Sequence, residues 1–394
     1  MIQDGFTFDT GGSHIIFSRD REVLGFMHEV LSCNRNETTR NTKIFYKDLY
    51  IKYPFENGLH DLPKEDLFFC INEFIKALVA SEKGEFGPAE NFREWIYQTF
   101  GKGIAECYMV PYNEKIWNYP VGKMSAHWME GRVPRPPVED VIKSAIGIET
   151  EGYTHQSVFS YPLHGGIESL IEAIAGPVKG QVITSFPVKS VKKNGNRWEV
   201  SDGARTIAAD RVISTIPVQY LIEMLPDIPQ NVRNAVRDLK YNSLVAVGIG
   251  IRGTVPPISW MYIPEEKTGL MNRISFPSNF SPGTVPDGCG SVLAEITFNE
   301  GDPVSLMSDG ELVDHVITSL ARMGILNEDS VQTAGVFRQK FAYVVYDLEY
   351  LKNIAVVRGY FEETGLPLVG RFSRFEYLNM DACIRQAMDF VQGS

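Results

Sequence analysis

Two glycine-rich stretches carry the residue types that could hold a cofactor. In Gly5-Phe-Thr-Phe-Asp-Thr-Gly-Gly-Ser-His14, apolar and polar residues alternate and then break at Gly11-Gly12. That is the pattern of a strand entering a tight loop, and a titratable imidazole follows it. Glycine at such a loop lets a ligand approach the backbone closely. The second stretch, Gly248-Ile-Gly250-Ile-Arg-Gly253, has the Gly-x-Gly-x-x-Gly spacing of a dinucleotide site. That chemistry needs a helix to follow, so that its first amides meet the pyrophosphate. Here Thr254-Val-Pro-Pro follows, and two prolines cannot open the helix at that place. No acidic residue closes a second strand about 20 residues on. These glycines are expected to let strands approach closely instead. The five cysteines (Cys33, Cys70, Cys107, Cys289, Cys383) show no Cys-x-x-Cys and no Cys/His ligand spacing. A zinc site and a disulfide framework are therefore not expected, and reduced thiols are. His28, His60, His127, His155, His164 and His315 have no metal-like spacing either.

The chain has 394 residues, enough for two or three packed units. With 44% hydrophobic and 22% charged residues it reads as an ordinary globular protein. A net charge of −11 argues against a nucleic-acid partner, which needs a clustered basic face. A small anionic ligand stays open, because a few convergent arginines bind one locally whatever the net charge. The longest strongly apolar run, around Ser243 to Ile251, is far short of the roughly 20 residues of a membrane helix. The first residues lack the basic and apolar regions of a signal peptide, so a cytoplasmic protein is expected.

Helical spacing dominates from about Arg21 to Phe100. Leu67, Ile71, Phe74, Ile75 and Leu78 form one apolar stripe, and Asn91 can cap a second helix carrying Phe92, Trp95, Ile96 and Phe100. Val133-Pro-Arg-Pro-Pro closes this part. Beyond Tyr161, Gly165-Gly166 precedes a short helix expected to turn Leu170, Ile171 and Ile174 inward. Strand-like pieces follow at Gln181 to Thr184, Val188 to Val191 and Trp198 to Val200, the last two joined by an Asn194-Gly195 hairpin signal. Asp210 to Ile216 reads as a buried strand stopped by Pro217, and Leu244 to Phe298 is β-rich. A helix near Asp309 to Met323, a strand at Phe341 to Val345 and a helix over Asn379 to Val391 complete the chain.

Four segments in order resemble the UDP-galactopyranose mutases, especially their eukaryotic-type branch, within the amine-oxidase/protoporphyrinogen-oxidase superfamily of flavoproteins. The first, Gly5 to Ser18, is similar to the loop that passes over the flavin. Val110-Pro-Tyr-Asn-Glu-Lys-Ile-Trp-Asn-Tyr-Pro, with Lys123-Met124, Trp128 and Arg132-Val133, is similar to the substrate-domain signature. Asn272-Arg-Ile-Ser-Phe-Pro-Ser-Asn-Phe-Ser-Pro resembles the mutase stretch with an arginine before Ser-Asn-Tyr-Ser-Pro. Gly370-Arg-Phe-Ser-Arg-Phe-Glu-Tyr-Leu-Asn-Met-Asp looks like the C-terminal flavin-binding turn and helix. The sequence departs from the pattern at Ser13, which separates the glycine pair from His14, and in showing no strand–Gly-x-Gly-x-x-Gly–helix unit before Gly5.

The resemblance implies an α/β fold with a glutathione-reductase-like, Rossmann-type FAD domain, N-terminally incomplete in this sequence. That domain is expected from residues 1–20, 156–218 and 360–394, with a helical insert over 21–112. A substrate domain with an antiparallel sheet is expected over 113–155 and 219–359. The implied activity is mutase chemistry with FAD, in which the reduced flavin attacks the sugar's anomeric carbon, UDP leaves, and the ring recloses in the other size. Arg132 and Arg273 are the implied diphosphate clamp, since a guanidinium fork matches phosphate oxygens, and His14 the flavin's neighbour. Tyr112, Trp117, Tyr343, Arg371 and Tyr377 are implied around the nucleotide sugar. Gly11, Gly12, Val188, Gly370, Asn379 and Asp381 are implied around FAD. An oxidoreductase of the amine-oxidase kind, and a non-catalytic or split-subunit protein that binds a nucleotide sugar, are the alternatives. A homo-oligomer, or a separate chain supplying an N-terminal unit, is the expected protein partner.

Overall fold

The β-rich stretch forms the middle of a seven-stranded sheet. In this computed structural model, which describes residues 1–129, 135–150 and 157–393, the strands are β1 (Thr42–Tyr46), β2 (Leu49–Lys52), β3 (Lys240–Arg252), β4 (Trp260–Tyr262), β5 (Arg273–Ser275), β6 (Cys289–Phe298) and β7 (Val331–Val345). Their order is β7-β3-β6-β5-β4-β1-β2. All neighbours are antiparallel except β4 and β1. Side chains of β3 alternate with the two-residue period of a strand. Val245, Val247, Ile249 and Ile251 pack under the helix Asp309–Arg322, whose Ser308 and Glu311 form a reciprocal cap. Ala246 faces the other way, onto Phe6 and Phe8 of a short N-terminal hairpin.

The rejected nucleotide motif has its explanation in that face. A Cβ at Gly248 would stand 2.6 Å from the ring of Phe8, and one at Gly250 would stand 2.7 Å from Phe6. The glycines make room for two aromatic rings, so the loop after Phe8 is held flat against the sheet.

Several expected elements are present: the helix Phe92–Ile104 with Asn91 accepting the Glu94 amide at 3.0 Å, the hairpin Ser190–Asn194/Arg197–Ser201, and the C-terminal helix Met380–Gln392. Others are corrected. Residues 36–52 are strands rather than helix. Lys47 and Asp48 both have positive φ, at 49° and 62°, and make a two-residue turn without the Asn-Gly signature. The segment 21–112 is therefore not wholly helical, and β1 and β2 lend it to the main sheet. Gln181 to Thr184 forms no strand, and Val182 and Ile183 stand exposed. Asp210 to Ile216 gains one parallel bridge, Ser214 to Leu368, with Ile213 exposed. A run reads as a buried strand only where both faces are covered. Ile171 is also outward, where it borders the pocket described below.

The helical layer buries the Glu56 carboxyl, which has no cation partner among the described residues. Glu56 is 7% exposed, and burial pushes its carboxyl up to about 7. A raised folded-state pKa means that its contribution to stability is fully present below its ordinary 4.5 and lost as pH rises through about 7. Glu56→Gln is expected to flatten the fall in unfolding free energy across that window, where the native protein should lose up to about 1.4 kcal/mol per pH unit from this group. Chemical denaturation at a series of pH values reads the slope directly. Equal slopes in the two proteins would show that Glu56 is not titrating there.

Candidate active site

A cavity of about 690 Å³ opens where the N-terminal loop, the sheet and the C-terminal turn meet. The loop is fixed from beneath. Asp9 is buried and accepts from the Tyr161 hydroxyl at 2.9 Å and from the Ile167 amide at 3.1 Å. Burial raises the Asp9 pKa against those hydrogen bonds and the nearby His14. Gly12 then turns with φ +89°, and a Cβ there would stand 2.9 Å from the carboxyl of Glu295. The Ser13 amide donates to Glu295 Oε1 at 3.1 Å. His14 Nδ1 contacts the Gly12 carbonyl at 2.8 Å, and because a carbonyl only accepts, Nδ1 carries the proton.

Glu295 has no exposed side chain. Arg273 meets it in a two-point pair, Nε to Oε1 at 2.9 Å and Nη2 to Oε2 at 2.7 Å. The two residues are direct partners across β5 and β6, so strand register sets the pair. Burial pulls the Arg273 pKa down, but Glu295 and the neighbouring tyrosines outweigh it and hold the guanidinium charged. Nε and one hydrogen of Nη2 are thus taken by Glu295, which leaves Nη1 and the second Nη2 hydrogen as the donors available to a ligand.

Arg371 stands across the cavity. Its Nη1 donates to the Leu378 carbonyl at 3.1 Å and Nη2 to the Ala342 carbonyl at 2.7 Å, which joins the C-terminal turn to β7. Its guanidinium lies 5.4, 5.3 and 4.6 Å from the ring centroids of Tyr343, Phe372 and Tyr377. Among the described residues no carboxylate pairs with it. Tyr343 is buried enough that its phenol is pushed up, so it remains a proton-bearing donor at neutral pH.

The structure brings Gly11, His14, Arg273, Tyr343, Arg371, Tyr377, Asn379 and Asp381 to one cavity wall. Asp381 accepts from Ser18 Oγ at 2.6 Å and joins the first turn of the last helix to the loop. Trp117 is behind the wall, edge-on to Tyr343 and Tyr377. Tyr112 is also behind it, edge-on to Tyr262. Val188 packs in a separate apolar cluster with Trp198, and the Gly370 amide donates to Gln386 Oε1 at 3.1 Å. Neither Val188 nor Gly370 reaches the cavity. Arg132 lies outside the described residues. Sequence reasoning missed Glu295 and Trp260, which lie on strands without a motif, and gave no role to Ser275, although it sits two residues after Arg273 in the quoted stretch. Among the described residues, Trp260 Nε1 and Ser275 Oγ are buried at the wall with no hydrogen-bond partner.

Fold and cavity define a flavoprotein. The chain belongs to the flavin-containing amine oxidoreductase family, which residues 1–353 match. Its cofactor is FAD. Among solved structures, a reduced UDP-galactopyranose mutase superposes with a TM-score of 0.89 at 25% identity, over 100% of this chain and 85% of that one. A protein assigned as a protoporphyrinogen oxidase, from Exiguobacterium sp. 255-15, gives 0.73 at 16% identity, over 99% and 88% of the two chains. A putrescine oxidase bound to putrescine gives 0.64 at 15%, over 98% and 91%. The last two likenesses concern the fold alone. The residues present fit a flavin edge: a glycine turn gives backbone access, Trp260 and Ser275 offer unused donors, and Asn379 makes no side-chain cap over the first amides of the last helix. Among the described residues no cluster suits a metal, and no helix is long and apolar enough to cross a membrane.

Removing one partner of the buried pair leaves a charge without compensation, so Arg273→Met is expected to destabilise by about 3–5 kcal/mol. Adding Glu295→Leu should return most of that loss. Urea unfolding of the two variants decides it, and a double variant as unstable as the single one would show that the pair is not the cause.

Proposed function

We propose that this chain acts as a UDP-galactopyranose mutase-like flavoenzyme on a nucleotide sugar, in surface-polysaccharide biosynthesis. The observation that carries the reading is Arg371, a guanidinium on the cavity wall with no carboxylate partner among the described residues. It faces an anion rather than an amine. With the Arg273–Glu295 pair near neutral in sum and Asp381 tied to Ser18 at the N-terminal loop, Arg371 is the cation beside Tyr343 and Tyr377, where an anionic group would be attracted and a cationic amine repelled. Likeness to a mutase at 25% identity supports the same reading.

FAD, when bound and reduced, supplies the nucleophile that attacks the anomeric carbon. The chain's own residues do the rest. Arg371 and the remaining Arg273 donors draw the diphosphate into place, and Tyr343 and Tyr377 line the same wall as hydroxyl donors. Arg371 is already held by two carbonyls, so little side-chain freedom is lost on binding. The protonated Nδ1 of His14 bonds to its own loop and thereby holds the loop's shape against the cofactor. The edge-on contacts of Trp117 with Tyr343 and Tyr377 keep both phenols in fixed positions. Trp260 and Phe280 line the cavity as apolar wall, which limits water where the sugar would open.

The test is turnover of UDP-galactofuranose by the FAD-loaded, dithionite-reduced protein, followed by chromatography of the two sugar nucleotides. Interconversion is the expected result, and oxidation of an amine without interconversion would overturn the proposal. Loss of a charge-assisted contact is worth about 1.5–3 kcal/mol. Arg371→Ala should accordingly lower kcat/KM by roughly 10- to 150-fold. Tyr343→Phe, which removes one neutral hydrogen bond, should lower it only about 2- to 10-fold. Equal losses in the two variants would show that charge does not dominate recognition.

A further inference from the structure

Away from the cavity, the helical layer brings two cysteines face to face. Cys70 is fully buried in the helix Lys64–Glu82. A Cβ at Gly103 would stand 2.4 Å from the Cys70 Cα, so the helix Phe92–Ile104 meets Cys70 backbone to backbone. The chain then passes through a π-helical turn, Ala105–Met109, an irregularity that is uncommon and often functional. This turn carries Cys107, which is partly open to solvent. The Cys107 thiol lies within hydrogen-bonding reach of the Cys70 thiol and of the Tyr46 hydroxyl. Tyr46 donates to Asp66 Oδ2 at 3.3 Å, and Lys47 Nζ pairs with the same oxygen at 2.7 Å.

We propose that Cys70 and Cys107 form a reversible intramolecular disulfide and so make a modification site for low-molecular-weight disulfides, distinct from the flavin cavity. The Cys70 hydrogen bond, against the opposing effect of burial, holds the Cys107 thiol down at about 7, with a lesser contribution from the Tyr46 hydroxyl when its single proton turns from Asp66 to the sulfur. Asp66 opposes that shift and Lys47 assists it. The shared proton rests on Cys70, whose pKa is held high by the neighbouring sulfur and by burial. In the first step the Cys107 thiolate attacks one sulfur of a small disulfide RSSR. A mixed disulfide forms at Cys107, the S–S bond of RSSR breaks, and RS⁻ leaves. Consumption of the Cys107 charge frees Cys70 to lose its proton to solvent. Its sulfur then attacks that of Cys107 and expels a second RS⁻. The two cysteines are oxidised by two electrons and RSSR is reduced to two thiols. Tyr108, next to Cys107, stacks on Tyr112, which touches Tyr262 of the cavity wall. The cross-link would thus sit one aromatic relay away from the flavin site.

Incubation of the full-length FAD-loaded protein with oxidised glutathione, acid quenching, alkylation and peptide mass spectrometry provide the test. The expected product is a Cys70–Cys107 cross-linked peptide lighter by two hydrogens, with the exposed Cys33 outside it. Cys70→Ala should instead keep one glutathione on Cys107, and the midpoint of its alkylation should move up from about 7 because the hydrogen bond that lowers it is gone. Cys107→Ala should give no cross-link. Wild-type protein that carries separate adducts, or none at Cys107, with no cross-linked peptide would overturn the proposal whether or not either variant folds.

Discussion

One buried ion pair holds the candidate site together. Glu295 is a carboxylate with no exposure on the central strand β6, where an uncompensated charge would cost several kcal/mol. Arg273 compensates it from the adjacent strand, and the Ser13 amide compensates it from the N-terminal loop. Three distant parts of the chain are thus bound to one carboxyl. At Gly12, with φ +89°, a Cβ would stand 2.9 Å from that group, so a larger residue there would meet both strain and the carboxyl. The glycine pair is therefore a consequence of the pair's position as much as a device for cofactor access.

The sheet makes this arrangement rigid. Arg273 and Glu295 are cross-strand partners, and the pairing of β5 with β6 is anchored because β6 is bonded on its other side to β3 over ten residue pairs. A slip of one residue would turn Glu295 toward the opposite face and strand its charge among Val247 and Ile249. Hydrophobic register and electrostatic register agree, and that agreement selects a single structure. The glycines of β3 add to it by admitting Phe6 and Phe8, which position the loop that ends at Ser13.

Much of this was legible in the sequence. The long amphipathic helices, the N-cap at Asn91, the hairpin at Gly195 and the β-rich stretch declare themselves through periodicity and turn chemistry. The strands β1 and β2 do not, since their turn uses Lys47-Asp48 and their short runs lie between strong helical patterns. Edge pairing, not local propensity, makes them strands. The same limit explains the converse error at Gln181 to Thr184, where strand-like residues find no neighbour to pair with. In the site, the arginines and tyrosines were readable as types, but Glu295 was not. A lone Glu in an apolar strand carries no signal until its partner on the next strand is known. Its effect is large, because it converts Arg273 from a free fork into a half-occupied one.

That conversion alters how the cavity discriminates among ligands. If both arginines were free, the wall would carry two uncompensated charges and would bind almost any polyanion. With Arg273 paired to Glu295 and Asp381 holding Ser18 at the loop, the cavity's guanidinium without a carboxylate partner among the described residues is Arg371. Its two terminal nitrogens are bound to carbonyls of β7 and the C-terminal turn, so the charge is fixed in place rather than carried on a mobile side chain. Three aromatic rings pack around it and lower the local dielectric, which strengthens attraction for an anion and repulsion for a cation alike. The family fold accommodates amine substrates in the putrescine oxidase. In this chain the same fold places on the cavity lining a guanidinium held by two carbonyls, a feature that the fold by itself does not fix.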